Sequence, residues 1–332
     1  MDGYRAPRWL GGGAAFGDGV IGGNLQTLWP ALFSHRPAGP ATAWRRERWD
    51  TPDGDFVDVD FQDPVLAEAP WLVLFHGLEG SSRSPYAQAF AHWARGHGWG
   101  CAVPHFRGCS GQINRAPRAY HSGDHEEIGW LLGRLRARSA RPPVAVGVSL
   151  GGNALLRWAE EAGESAAAVV RAVCAVSSPV DLAAGGLAIG RGFNAQVYTR
   201  VFLNTMRPKA LAKLAQFPGL FDGDALRAAR TLHRFDDIFT APLHGFRDAD
   251  DYWRRASAKP HLHAIRVPAL LLNARNDPFV PAASLPAAHE VGAHVTLWQP
   301  AHGGHVGFPA GRPPGHLLAL PEAVMGWVAR AS

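Results

Sequence analysis

Six short apolar runs punctuate the chain: WLVLF (71–75), GCAVP (100–104), VAVGV (144–148), AVCAV (172–176), ALLLNA (269–274) and VTLWQ (295–299). They do not alternate apolar with polar residues. Strands of that kind are buried on both faces, as in a parallel sheet covered by helices. Helix-period segments fill most of the intervals, near 85–97, 124–138, 152–163 and 281–289, with a last one near 317–331. Runs and segments in this order predict a doubly wound α/β fold. Ahead of them, WRRERWDTPDGDFVDVDF sets Phe56, Val57, Val59 and Phe61 in a mostly alternating stretch after a turn signal at Pro52 to Gly54, which predicts an antiparallel hairpin.

Between the fourth and fifth runs the alternation stops. Residues 181–267 mix Pro, Gly and short helical pieces with aromatic residues, and we read them as a helical insertion above the sheet, a lid over a pocket. Phe193, Tyr198, Phe202, Phe221, Phe235, Phe239 and Phe246 read chiefly as that insertion's own core, since an inserted segment must bury apolar surface to stay folded. Residues 1–43, rich in Gly and Pro, read as a segment that wraps the surface. The expectation is one domain over 1–332.

Composition narrows the function. Of 332 residues, 47% are hydrophobic and 18% charged, the balance of a chain that folds. The net charge of +5 comes from basic residues scattered along the sequence, with no block of five or six, so nucleic-acid binding is not expected. Cys101, Cys109 and Cys174 are widely spaced and form no C-x-x-C pair, which argues against a disulfide framework or a zinc site. The start, MDGYRAPRWLGGGAAFGDG, has no basic region followed by a long apolar run, and no transmembrane segment is expected. This reads as a soluble cytoplasmic protein. Oligomeric state leaves no trace in the sequence.

The chemistry enters at the end of the third run. VAVGV leads into Ser149-Leu150-Gly151, so residues 147–151 read G-x-S-x-G between a strand and a helix. In a chain with 38 glycines the motif alone is weak, but at a strand-to-helix turn it thrusts a serine hydroxyl above the sheet. Serine needs a base, and the base needs an acid that fixes its tautomer, in the chain order Ser, Asp or Glu, His. Asp277 follows the fifth run and AHGGHVGF (301–308) follows the sixth, on the same sheet edge as Ser149. By itself Asp277 also reads as an Asp-Pro turn. Two histidines, His302 and His305, could suggest a metal pair, but Gly303 and Gly304 between them discourage the helix such a pair needs. After WLVLF, the turn His76-Gly77-Leu78-Glu79-Gly80 could turn the N–H of Leu78, with that of Leu150, toward a carbonyl oxygen that becomes negative.

At these residues the chain resembles the YheT-like branch of the α/β-hydrolases. The likeness runs from about 24 to 308 through NLQTLWPALF, LFHGLEGSSRSPYAQ, FRGCSGQINRAPRAYHSGD, GVSLGGNALLRW, PLHGFRDADDYW, NDPFVP and GGHVGF. The resemblance implies an α/β-hydrolase fold with Ser149 as nucleophile, Asp277 as acid and His305 as base. His302 matches nothing comparable. Where the family often carries Asn-Pro-His before LQTLWP, this chain has Gly22-Gly23-Asn24. Arg107 and His121 fall in the shared pattern and read as loop-shaping residues, with contact to substrate as the alternative, while Cys109, two residues after Arg107, has no assigned base. The expectation is a serine hydrolase of carboxylic esters, with a small-molecule ester or acyl-lipid substrate and neither cofactor nor metal. Acyl transfer on the same triad is the alternative, followed by a non-catalytic binding protein of this fold.

Overall fold

The computed structural model describes Met1 and residues 3–11, 19–35 and 42–331. Eight strands form one sheet: β1 (Arg45–Asp50), β2 (Phe56–Gln62), β3 (Trp71–Phe75), β4 (Gly100–Pro104), β5 (Val144–Val148), β6 (Ala172–Val176), β7 (Ala269–Leu272) and β8 (Val295–Trp298). Their spatial order is β1-β2-β4-β3-β5-β6-β7-β8. The β1–β2 and β2–β4 pairs are antiparallel, and every pair from β4–β3 to β7–β8 is parallel. All six apolar runs and the hairpin are therefore strands.

The α-helices of six residues or more are α1 (Val20–Phe33), α2 (Pro85–Gly96), α3 (His125–Arg138), α4 (Leu150–Ala162), α5 (Leu182–Ile189), α6 (Arg200–Gln216), α7 (Gly223–Ala228), α8 (Ala249–Ala256) and α9 (Ala319–Ala331). Neighbouring residues of one strand enter opposite cores. Val73 and Phe75 pack with α3 and α4, whereas Leu72 and Leu74 pack with α2 and α9. That two-sided burial is why these strands could not alternate.

Two expectations need amendment. The segment 281–289 is not a helix but two short 3-10 turns, Ala282–Ser284 and Ala288–Glu290. Pro286 lies between them, and a proline inside a helix removes an N–H and clashes with the preceding turn. The segment 1–43 does more than wrap. Residues 2, 12–18 and 36–41 of it lie outside the described residues, but 20–33 form α1, despite Gly22, Gly23 and Pro30. Residues 181–267 form α5 to α8, several shorter helical turns and the loops between them. Phe221, Phe235 and Phe239 share a cluster with Leu203 and Leu226, Tyr198 and Phe202 pack on Phe279, and Phe193 stays exposed.

Candidate active site

Ser149 occupies the turn from β5 to α4 with φ 53° and ψ −120°, a conformation strained for a residue with a side chain. The flanking glycines permit it. A Cβ on Gly147 would come within 2.5 Å of the Gly151 carbonyl oxygen, and one on Gly151 within 2.5 Å of the His76 carbonyl oxygen. The Ser149 N–H donates to the Val176 carbonyl at 2.8 Å, anchoring the turn to β6.

Asp277 lies beyond β7 with its side chain fully buried. Its Oδ1 accepts the N–H groups of Phe279 (2.8 Å) and Val280 (3.3 Å), so the Asp-Pro turn and the buried carboxylate are one structure. His305 sits between the two loops. Its Nδ1 faces Asp277 Oδ2 at 2.9 Å and its Nε2 lies 3.0 Å from Ser149 Oγ. With Nδ1–H directed at a carboxylate, Nε2 is placed to accept a hydrogen bond from the Ser149 hydroxyl. The Phe279 ring lies against the imidazole at a centroid distance of 4.3 Å. His302 is buried in the preceding loop, and the lining of the cleft over Ser149 includes His305 but not His302. Among the described residues no three His, Cys, Asp or Glu side chains converge as metal ligands would.

The β3 loop is held from both sides. Gly77 N–H donates to the Tyr86 hydroxyl at 2.9 Å and Glu79 N–H to the Tyr120 hydroxyl at 3.0 Å, which fixes the peptide of Leu78 between them. Tyr120 in turn donates to Glu79 Oε1 at 2.9 Å, and Lys209 of α6 pairs with Glu79 Oε2 at 2.8 Å. His76 is fully buried, and burial drives its pKa down to about 3. The ring is therefore neutral, donating from Nδ1 to the Gly77 carbonyl (2.8 Å) and accepting the Phe106 N–H at Nε2 (3.1 Å). Leu150 is the first residue of α4, so its N–H has no partner within the helix.

Sequence reasoning missed the supports contributed by α1. Gln26, with no exposed surface, accepts from Asn276 Nδ2 (2.9 Å) and from Gly303 N–H (2.9 Å) at its Oε1. Thr27 Oγ1 accepts the His305 N–H at 2.8 Å and donates to the Gly23 carbonyl at 2.7 Å. Asn276 Oδ1 accepts the Gly304 N–H at 3.1 Å. The departure Gly22-Gly23-Asn24 sits against the same loop: a Cβ on Gly23 would lie 1.8 Å from the Asn276 carbonyl oxygen. The available hint was a glutamine and a threonine inside the otherwise apolar stretch LQTLWPALF.

Arg107 is buried and paired with Asp53 (2.8 Å), Asp55 (2.9 Å) and Glu127, tying the β1–β2 turn to α3. These three pairs hold the loop that carries it. His121 is enclosed by His244, Phe246 and Tyr252, and burial lowers its pKa to about 3. Burial pushes the Cys109 thiol up to about 12, so it is not an activated thiolate.

Comparison with known proteins places the chain in a family. Residues 70–311 match the family model described as the alpha/beta hydrolase fold. The chain is 41% identical over 293 residues to YheT of Escherichia coli (strain K12), a candidate esterase by name, covering 87% of this chain and 84% of that one. The chain is a YheT-like α/β-hydrolase. Phospholipase ABHD3 of Mus musculus is 27% identical over 292 residues, covering 85% of this chain and 70% of its own. Among solved structures, Est1E from Butyrivibrio proteoclasticus with ferulic acid bound superimposes with a TM-score of 0.54 at 15% identity, over 85% of this chain and 98% of its own, a likeness of fold. No helix among the described residues of this α/β-hydrolase is long and apolar enough to cross a membrane.

Proposed function

We propose that the protein hydrolyses carboxylic esters through an acyl-enzyme on Ser149. The observation that carries the reading is His305, with Nε2 at 3.0 Å from Ser149 Oγ and Nδ1 at 2.9 Å from Asp277 Oδ2. His305 takes the serine proton as Oγ attacks the ester carbonyl carbon, while Asp277 stabilises the imidazolium that forms. The carbonyl oxygen becomes negative and meets the N–H groups of Leu78 and Leu150, at the N-terminus of α4 where negative charge is favoured. His305 then returns the proton to the departing alcohol oxygen. Water, deprotonated by the same imidazole, attacks the acyl-serine, and the imidazolium returns that proton to Ser149 Oγ as the acid is released. The names of the E. coli and mouse relatives, an esterase and a phospholipase, agree with an ester substrate.

Residues 181–267 serve as the lid in this reading. Tyr198, Val201 and Phe202 line the cleft that holds Ser149 and His305, a space of about 400 Å³ whose walls are mostly apolar. Such walls suit the hydrocarbon parts of an ester or acyl lipid. The test is Ser149→Ala. It should abolish hydrolysis of p-nitrophenyl acetate and labelling by a fluorophosphonate while leaving the circular dichroism spectrum unchanged. Labelling of the variant at the wild-type rate would refute the assignment.

A further inference from the structure

Two cavities meet at the loop after β3. The first is the cleft over Ser149, bordered by His305, Phe279, Leu32 and Val201. The second, about 120 Å³, lies between that loop and α6, and its walls include Leu78, Leu150, Met206, Ile113, Phe235 and Phe239. Leu78 belongs to both linings, whereas His305 and Phe279 belong to the cleft alone.

Ester chemistry assigns the two halves of a substrate to these spaces. The leaving oxygen must receive its proton from His305 Nε2, so the alcohol portion lies on the His305 side. The acyl portion stays bonded to Ser149 Oγ and points away from the imidazole, past the amides of Leu78 and Leu150. From these placements we propose that the chamber beneath α6 is the acyl-chain site and the wide cleft is the alcohol site. The proposal rests on the Ser149 acyl-enzyme reading above. The division also suits the second half-reaction: once the alcohol leaves, the cleft is open for water to reach His305 while the acyl chain remains housed elsewhere.

The wall chemistry narrows the acyl group further. Most of the polar side chains lining this chamber are already engaged by other side chains or by the backbone. Lys209 is paired with Glu79, Lys213 donates to the Ala116 carbonyl at 2.7 Å, and Asp236 accepts from Thr240 Oγ1 (2.6 Å) and Trp253 Nε1 (2.8 Å). A ligand there needs to supply no hydrogen bonds, and Met206, Leu232, Phe235 and Phe239 offer apolar contact. The class is an unsubstituted aliphatic acyl group, capped in length by a chamber smaller than the cleft. The alcohol can be larger and more varied.

The experiment uses p-nitrophenyl esters from acetate to palmitate, with one leaving group throughout, on the full chain. Met206→Trp fills the chamber and should lower kcat/KM for acyl chains near the wild-type optimum at least tenfold relative to acetate. Met206→Ala should move the optimum to longer chains. Val201→Trp, in the cleft, should leave the chain-length profile unmoved but discriminate against naphthyl relative to p-nitrophenyl acetate. Ile113→Phe is a second filling substitution should Met206→Trp misfold, and the rate of fluorophosphonate labelling reports an intact site in each variant. A profile unmoved by the chamber variants, or moved by Val201→Trp instead, overturns the assignment. Wild-type protein with no Ser149-dependent turnover or labelling would overturn the acyl-enzyme reading itself.

Discussion

Replacing Gln26 by alanine removes a side chain that touches no substrate and should nevertheless disable the enzyme. Gln26 has no exposed surface and makes three hydrogen bonds, accepting from Asn276 and Gly303 and donating to the Leu10 carbonyl at 3.1 Å. Each partner left behind is a polar group with reduced access to water. An unmade bond of that kind costs about 1 to 3 kcal/mol, and water entering the vacated space offsets part of it. Three such losses at the low end give about 3 kcal/mol, a large share of the roughly 5 to 15 kcal/mol that holds a domain folded. The same bonds fix the residue before Asp277 and the residue two before His305, so loosening them spoils the alignment of Asp277, His305 and Ser149. A misplacement of about 1 Å costs about a hundredfold in rate. Urea unfolding should show a lower midpoint with an unchanged slope, and the same preparation, measured well below that midpoint, should hydrolyse p-nitrophenyl acetate with kcat down about a hundredfold. A kcat within threefold of wild type would refute the idea that α1 aligns the two loops, even if stability fell as expected.

Three further predictions concern neighbouring groups. His305→Ala should cut kcat/KM by about four orders of magnitude and His302→Ala by less than tenfold; similar losses from both, measured on one ester, would return the second histidine to the chemistry. Tyr120 acts on the Leu78 peptide through Glu79, so Tyr120→Phe should lower kcat about tenfold with KM moved less than twofold, and a change confined to KM would exclude a positioning role. Burial pushes the Asp236 carboxyl up to about 6. Its folded pKa therefore lies above the unfolded value of about 4, and the native state binds the extra proton between them. Stability attributable to this group falls as pH rises from about 4 to about 6, by up to about 3 kcal/mol, and stays lower above that range. Asp236→Asn should gain melting temperature over wild type at pH 7.5 relative to pH 4.5; a difference that does not grow with pH would count against the buried carboxyl.

What could be read from the sequence followed from short-range regularity. WLVLF and VAVGV each feed alternate residues to two helix-covered faces, and that double burial writes itself into the chain as an uninterrupted apolar run. Ser149, Asp277 and His305 were legible because each follows such a run, and strand ends on one edge of a parallel sheet converge. The supports were not legible for the opposite reason. Gln26 and Asn276 are 250 positions apart and Thr27 and His305 are 278 apart, so no local period connects them. The helix α1 itself carries Gly22, Gly23 and Pro30, residues that weaken helices, and owes its place to contacts with distant loops. At 281–289 the error ran the other way: an apparent helical spacing was broken by Pro286, a steric fact that periodicity ignores.

The bonds from Gln26 and Thr27 to the loops at 276 and 303–305 also set a timetable. During synthesis these two residues leave the ribosome about 250 positions before their partners, which at roughly 5 to 20 residues per second is an interval on the order of 10 to 50 s. Ser149 emerges about midway through that interval, and the turn that bears it can form before His305, 156 positions further on, exists in the chain. On the proposed acyl-enzyme reading, the last contacts to close are the ones that bring a base to the serine, so a chain that ends before His305 holds a hydroxyl without one. In that reading reactivity arrives only once the loop that carries His305 has docked on α1.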